Sequence, residues 1–179
     1  MVNEINMNLS STNIAFGGGC HWCTEAIFQS LNGITKVEQG FVASENESKS
    51  FSEAVIVHFN PKEIALKTLI EVHIYTHKSI SDHIMRKKYR SAVYTFSKEQ
   101  NISVSKIMKK FQIVFNNQLI TRVLSFKKFK PSNEQFHNYF YVNPEKPFCK
   151  TYINPKLKCI LDKFSTHIRK EKILSIINQ

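Results

Sequence analysis

The sequence predicts an α+β sandwich, with helices crossing between the strands of one sheet, on three observations. Short apolar or β-branched runs bounded by turn residues recur at 13–16, 34–42 and 53–59. Helical patterns with start and stop signals lie between them, the clearest running from Ser97 to Asn116-Asn117. The length, 179 residues, suits one domain around a single core.

Each element follows from its residues. Residues 13–16 read as a strand, 24–31 as a helix ended near Gly33, and 34–42 as a second strand. The polar run 44–50 is a loop, and 53–59 is a strand rich in β-branched side chains. Asn60-Pro61 then opens a helix with proline in its first turn, reaching about residue 77. Residues 91–96 form another strand; Ser97 caps a helix with Glu99 close behind. A further strand is expected at 119–126, a short helix at 132–141, and helical spacing in parts of 157–177.

The segment Gly17-Gly18-Gly19-Cys20-His21-Trp22-Cys23 places a cysteine where a strand hands over to a helix. Glycines lack the Cβ that would hinder a sharp turn or the approach of another molecule. A thiol at a helix start meets unpaired amide N–H groups and the positive end of the helix dipole, which favour its thiolate. Cys20 is therefore the candidate nucleophile.

Charge and compartment narrow the function classes. Lys and Arg number 25 against 14 Asp and Glu, a formal net charge of +11. The excess is scattered lysine, which reads as a solvated basic surface rather than a nucleic-acid site. Residues 1–13 are polar, without the apolar run of a secretory signal, and no stretch is long enough to span a membrane. The expectation is a cytoplasmic protein with no membrane contact. In a reducing compartment its four cysteines read as catalytic, metal-binding or inert.

Several segments, taken in order, resemble a known family. Gly18-Gly19-Cys20-His21-Trp22-Cys23, followed by Glu25 and Phe28, is similar to the GGCFWC signature of peptide methionine sulfoxide reductase A. Glu53-Ala54-Val55 resembles that family's EAV strand, Tyr89-Arg90-Ser91-Ala92 its YRS motif, and Gln135-Phe136-His137-Asn138-Tyr139 its late YHQ-Y helix. Asn143-Pro144 through Phe148-Cys149 to Asn154-Pro155-Lys156-Leu157 is similar to the tail of members with a late cysteine. The resemblance covers most of 13–164, in a single domain spanning 1–179 with a tail at 165–179. It implies a two-layer α/β sandwich with a ferredoxin-like core, a mixed sheet flanked by helices, and a C-terminal extension. It also implies thiol-dependent reduction of the S epimer of methionine sulfoxide, protein-bound or free. The enzyme would be a monomer without cofactor or metal, regenerated by thioredoxin or another dithiol.

The chemistry assigns roles within that resemblance. A sulfoxide sulfur becomes electrophilic when its oxygen is protonated, so reduction needs a thiolate, an acid and a slot for the methyl group. Cys20 supplies the thiolate. Glu53 heads an apolar strand, where a charged carboxylate is costly to bury, and serves as the acid. Tyr89 donates its phenolic O–H to the same oxygen, while Gly19, His21, Trp22 and His137 bind substrate. Cys20 ends as a sulfenic acid, which a second thiol converts to a disulfide and a dithiol reopens. Cys149, in a Pro- and Lys-rich stretch expected to be mobile, is the first choice as resolving thiol. Cys23 is the alternative, because a bridge across one helical turn meets demanding geometry. Cys159 reads as a core residue on a helix face.

The chain also departs from the family. His21 stands where the family has Phe, and could pack against the methyl or support the Cys20 thiolate. The segment between Phe41 and Glu53 is shortened, which removes a pocket tyrosine. Ile84 and Lys88 replace an Asp and a Gln, Asp82 lies two places out of register, and Arg86-Lys87-Lys88 makes the rim basic. Other classes use the same residues: a thioredoxin-like protein built on Cys20 and Cys23, or a zinc site of Cys20, His21, Cys23 and Cys149 lacking a second close ligand pair. A non-catalytic module that binds oxidised methionine or nucleic acid is the third.

Overall fold

Strand β1 (Thr12–Gly17) lies in the middle of a six-stranded sheet because it is apolar on both faces. The computed structural model describes residues 12–177. The other strands are β2 (Ile34–Ala43), β3 (Ser52–Phe59), β4 (Ala92–Thr95), β5 (Arg122–Ser125) and β6 (Lys128–Pro131), in the order β5-β4-β1-β3-β2-β6. Helix α1 (His21–Gln29) crosses from β1 to β2, and α2 (Leu66–Thr76) from β3 to β4. The inner order β4-β1-β3-β2 is thus the expected ferredoxin-like core. Only β4 and β5 pair in parallel, which makes the sheet mixed.

Alternation along the strands separates two layers. Ile14, Phe16, Val55 and Val57 point to the helices, joining the main core with Phe28, Leu69, Ile70, Val104 and Leu157. Phe16 stacks on Phe28 with ring centroids 4.7 Å apart. The opposite face carries Ala15, Ala54, Ile56, Ala92 and Tyr94, with Phe126 and Phe129 packed on them. Its small side chains let the sheet curl inward. Three peptide steps join β5 to β6 and reach at most about 11 Å, whereas the edges of a flat six-stranded sheet would stand about 24 Å apart. The curl closes where Ser44 Oγ donates to Ser125 O at 2.6 Å and Lys127 N donates to Ala43 O at 3.1 Å.

The remaining helices are α3 (Lys98–Val114), α4 (Tyr139–Val142), α5 (Asn154–Lys163) and α6 (Lys170–Ile177). Ser97 caps α3 as expected, accepting from Gln100 N at 3.1 Å. Four boundaries differ from the sequence expectation. Helix α1 begins at His21, ahead of 24, because Cys20 O already accepts the Cys23 and Thr24 amides at 3.1 and 3.2 Å. Helix α2 begins only at Leu66, since Asn60 holds the residues after Pro61 in a turn closed by Glu63 N and Ile64 N. Strand β5 is short because the Gln112 amide brackets Leu119 from both sides, and β6 was not anticipated in its Lys-rich sequence. The helix expected at 132–141 splits into a turn at Glu134–Phe136 and α4, because Asn138 takes φ 54° between them.

Residues beyond Phe164 dock on the end of α1. Asn32 N donates to His167 O at 2.7 Å, Arg169 N donates to Ser30 O at 2.9 Å, and Ile173 is fully buried. No helix of the described residues is long and apolar enough to cross a membrane.

Candidate active site

Cys20 is the N-cap residue of α1, half-buried, with extended backbone at φ −57° and ψ 127°. Its pKa is lowered from the ordinary thiol value, first because the Cys23 thiol donates to its sulfur, then by the amides of Trp22 and Cys23. Burial and the Glu53 charge oppose that shift. The same pairing and burial push the Cys23 thiol far up, so the proton of the pair stays on Cys23. The preceding glycines have separate reasons. A Cβ on Gly17 would lie 2.9 Å from Arg90 O, and one on Gly18, at φ 156°, 2.5 Å from the His77 ring. Gly19 faces open space, which leaves the approach to Cys20 free. His77 is held by His73 O and Ser91 Oγ at 2.5 and 2.7 Å, and burial drops its pKa to about 4. A neutral ring therefore backs the loop.

Glu53 is the second residue of β3, opposite Phe41 of β2, and is 7% exposed. The backbone N–H of His21 donates to Glu53 Oε2 at 3.1 Å, tying the carboxyl to the first residue of the helix that Cys20 caps. His21 Nδ1 lies 3.1 Å from Gly40 O and 3.3 Å from Glu53 Oε2. A carbonyl can only accept, so this nitrogen carries the hydrogen. Burial lowers the His21 pKa, and the ring packs edge-on against Phe41 with centroids 5.2 Å apart. It therefore acts as a neutral, mostly apolar wall that also steadies Glu53. On the other side, Lys88 Nζ lies 3.6 Å from Glu53 Oε1 and 5.1 Å from the Tyr89 ring centre. Lys88 thus bridges the candidate acid and the candidate phenol. The backbone is laced there too, with Glu53 N donating to Lys88 O at 3.0 Å.

Trp22 stacks on Tyr139, centroids 4.1 Å apart and planes 9° from parallel, with Phe136 and Phe148 at 5.4 and 5.2 Å. The indole wall expected at the site is therefore shared with the C-terminal third of the chain. Its buried Nε1 has no acceptor among the described residues. The lever that brings the late segment here is Glu25, 2% exposed, whose carboxyl accepts from Asn138 N, Tyr139 N and Gln39 Nε2 at 3.0, 3.3 and 2.7 Å. Gln39 also donates to Phe136 O at 3.0 Å. Glu25 lay inside the quoted motif without a role, and Gln39, Phe136 and Lys88 were missed as contributors. The available signal was an acid on the buried side of an apolar helix. His137, expected to bind substrate, places Nε2 3.1 Å from Ser132 O.

All four cysteines are free. The expectation that Cys149 sits in a mobile stretch is corrected by its position. It is fully buried at the head of a π-helical turn, Cys149–Ile153, and its thiol points to Asn143 O at 3.6 Å. Burial raises its pKa. Phe148 beside it packs on Trp22, which sets the buried thiol behind the aromatic wall. Among the described residues, no three His, Cys, Asp or Glu side chains gather as a metal ion would require.

A family model described as peptide methionine sulfoxide reductase matches residues 12–169. The chain is similar to the peptide methionine sulfoxide reductase MsrA of Nitratiruptor sp., 26% identical over 173 residues covering 89% of this chain and 99% of the relative. It is 29% identical over 161 residues to that of Trichodesmium erythraeum, covering 81% and 91%. Among solved structures, Mxr1 of Saccharomyces cerevisiae in reduced form aligns with TM-score 0.68 at 25% identity, covering 79% of this chain and 91% of that one. The same yeast protein in complex with Trx2 aligns with TM-score 0.57 at 24% identity, covering 70% and 83%.

Proposed function

Because the chain belongs to the peptide methionine sulfoxide reductase family, we propose that it reduces the S epimer of methionine sulfoxide, free or within oxidised proteins. The single observation that carries this reading is the helix-capping Cys20, its pKa lowered by a thiol and two amides, in the field of a buried carboxyl that His21 N–H holds. The Cys20 thiolate attacks the sulfoxide sulfur while Glu53, as acid, protonates the departing oxygen and Tyr89 donates a hydrogen bond to it. The substrate S–O bond and the new bond between the two sulfurs break as the protonated oxygen moves to Cys20, which becomes a sulfenic acid, and methionine leaves with the two electrons that Cys20 has lost. His21 and Trp22 wall the methyl slot, and the bare Gly19 admits the substrate.

A second thiol then attacks the sulfenic sulfur, expels water and forms a disulfide, which thioredoxin opens by two exchanges. Cys149 fills this role in our reading, and its π-helical turn, a rare hydrogen-bonding pattern frequent at functional sites, is the piece that unwinds. Cys23 is the competitor, already paired with Cys20. Peptide mapping after one oxidising turnover without reductant is expected to find Cys20 joined to Cys149. A Cys20–Cys23 bridge as the main product would reassign the resolving thiol.

The activity itself is tested with dithiothreitol as electron donor and the two epimers of an acetylated methionine sulfoxide supplied separately. The S epimer is expected to be consumed and the R epimer left untouched. Equal turnover of both, or of neither, would overturn the assignment.

A further inference from the structure

Beside the glycine loop, whose Gly18 O accepts from Arg86, lies a cavity of about 520 Å³ lined by Arg86, Lys87, Arg90 and Arg122 together with serine hydroxyls, against one acidic residue, Asp82. The ion pairs among the described residues include no arginine. Arg90 is only 9% exposed, yet its guanidinium meets neutral acceptors alone, Tyr94 Oη at 3.2 Å and Ser50 O and Oγ at 2.9 and 3.0 Å. A buried charge without a counter-charge is costly. Arg122 has a single contact, Ser48 Oγ at 3.4 Å, so most of its fork is unspent. Arg86 aims all five donors at carbonyl oxygens, including Gly18 O at 2.9 Å, and contributes its field rather than hydrogen bonds.

We propose that this cavity binds a compact polyanionic phosphate. Four cations less one carboxylate leave a net charge of +3 in the lining, which a di- or triphosphate group offsets. The donors arrive from three directions, the turn at Ser48–Ser50, the segment Lys87–Arg90, and the edge strand β5. Tetrahedral phosphate oxygens accept from such a spread, whereas a planar carboxylate suits donors lying in one plane. None of the lining residues has a role in the thiol chemistry, so the test does not depend on reductase activity.

Calorimetric titration of the full chain at fixed ionic strength, in phosphate-free buffer, compares tripolyphosphate, pyrophosphate and orthophosphate. One-to-one binding that weakens in that order is expected. Arg122→Gln, on an exposed edge strand, should weaken tripolyphosphate about tenfold or more, as the loss of a charge-assisted contact does. Lys87→Gln on the exposed turn gives the same direction should Arg122→Gln fold poorly, and Arg169→Gln, remote from the cavity, should change nothing. ATP separates the sources of the phosphate: binding at least as tight as tripolyphosphate assigns the site to nucleotides, and weaker binding assigns it to the free chain, with the phosphate site upheld in both cases. Absence of binding at millimolar tripolyphosphate, or equal losses in Arg122→Gln and Arg169→Gln, would overturn the proposal.

Discussion

Cys20→Ser is expected to lower turnover of the S epimer by at least about a thousandfold while leaving the fold intact, because a hydroxyl at the same helix start remains protonated where the thiol ionises. The neighbouring sulfur offers no rescue. Without Cys20 the pairing that chiefly raises the Cys23 pKa is lost, but burial still opposes its ionisation and its sulfur lies inside the core. The measurement is methionine formed under excess dithiothreitol, with circular dichroism as the check on folding. Activity above a tenth of the unsubstituted chain would remove Cys20 from the chemistry.

Glu53→Gln is expected to cut turnover about a hundredfold or more, the usual scale for loss of a positioned acid, while alkylation of Cys20 stays close to the unsubstituted rate. The sign follows from the electrostatics. Only the ionised form of Glu53 raises the Cys20 pKa, and a carboxyl that holds its proton for the sulfoxide oxygen exerts no such pull, so the neutral amide leaves the thiolate fraction unchanged. Iodoacetamide modification at pH 7 should accordingly run at the same rate in both proteins. Turnover falling while alkylation holds separates an acid from a residue that merely holds the loop in shape. Faster alkylation in the variant would show Glu53 to be ionised rather than an acid, and slower alkylation together with slower turnover would mark it as structural.

The sequence disclosed most of what local rules govern. Apolar and β-branched runs placed the central strands, and Ser97 announced the start of α3. The glycine run before Cys20 predicted a cap that the backbone confirms, with reasons for Gly17 and Gly18 that are steric contacts to Arg90 O and His77. Contacts between distant segments were hidden. Strand β6 forms because the curled sheet needs an edge partner for β2, and nothing in Lys128 to Pro131 signals that need. Cys149 looked mobile because its neighbours are Pro and Lys, yet Phe148 and Ile153 bury that turn against the core. Lys88 read as part of a basic rim, and only the pairing of Glu53 N with Lys88 O brings its ammonium to the carboxyl. His21 carries the same lesson, since its tautomer is set by Gly40 O on another strand.

The three hydrogen bonds that Glu25 accepts from Gln39, Asn138 and Tyr139 also have a meaning for the chain as it leaves the ribosome. At roughly 5–20 residues per second, Cys20 emerges many seconds before the aromatic residues that will cover it. Through that interval α1 is a nascent helix with an unanswered carboxylate and an uncovered thiol. The wall closes only when the segment around Tyr139 is released and Glu25 captures it. Cys20 is thus translated early and enclosed late, which ties completion of its surroundings to the synthesis of a segment far downstream.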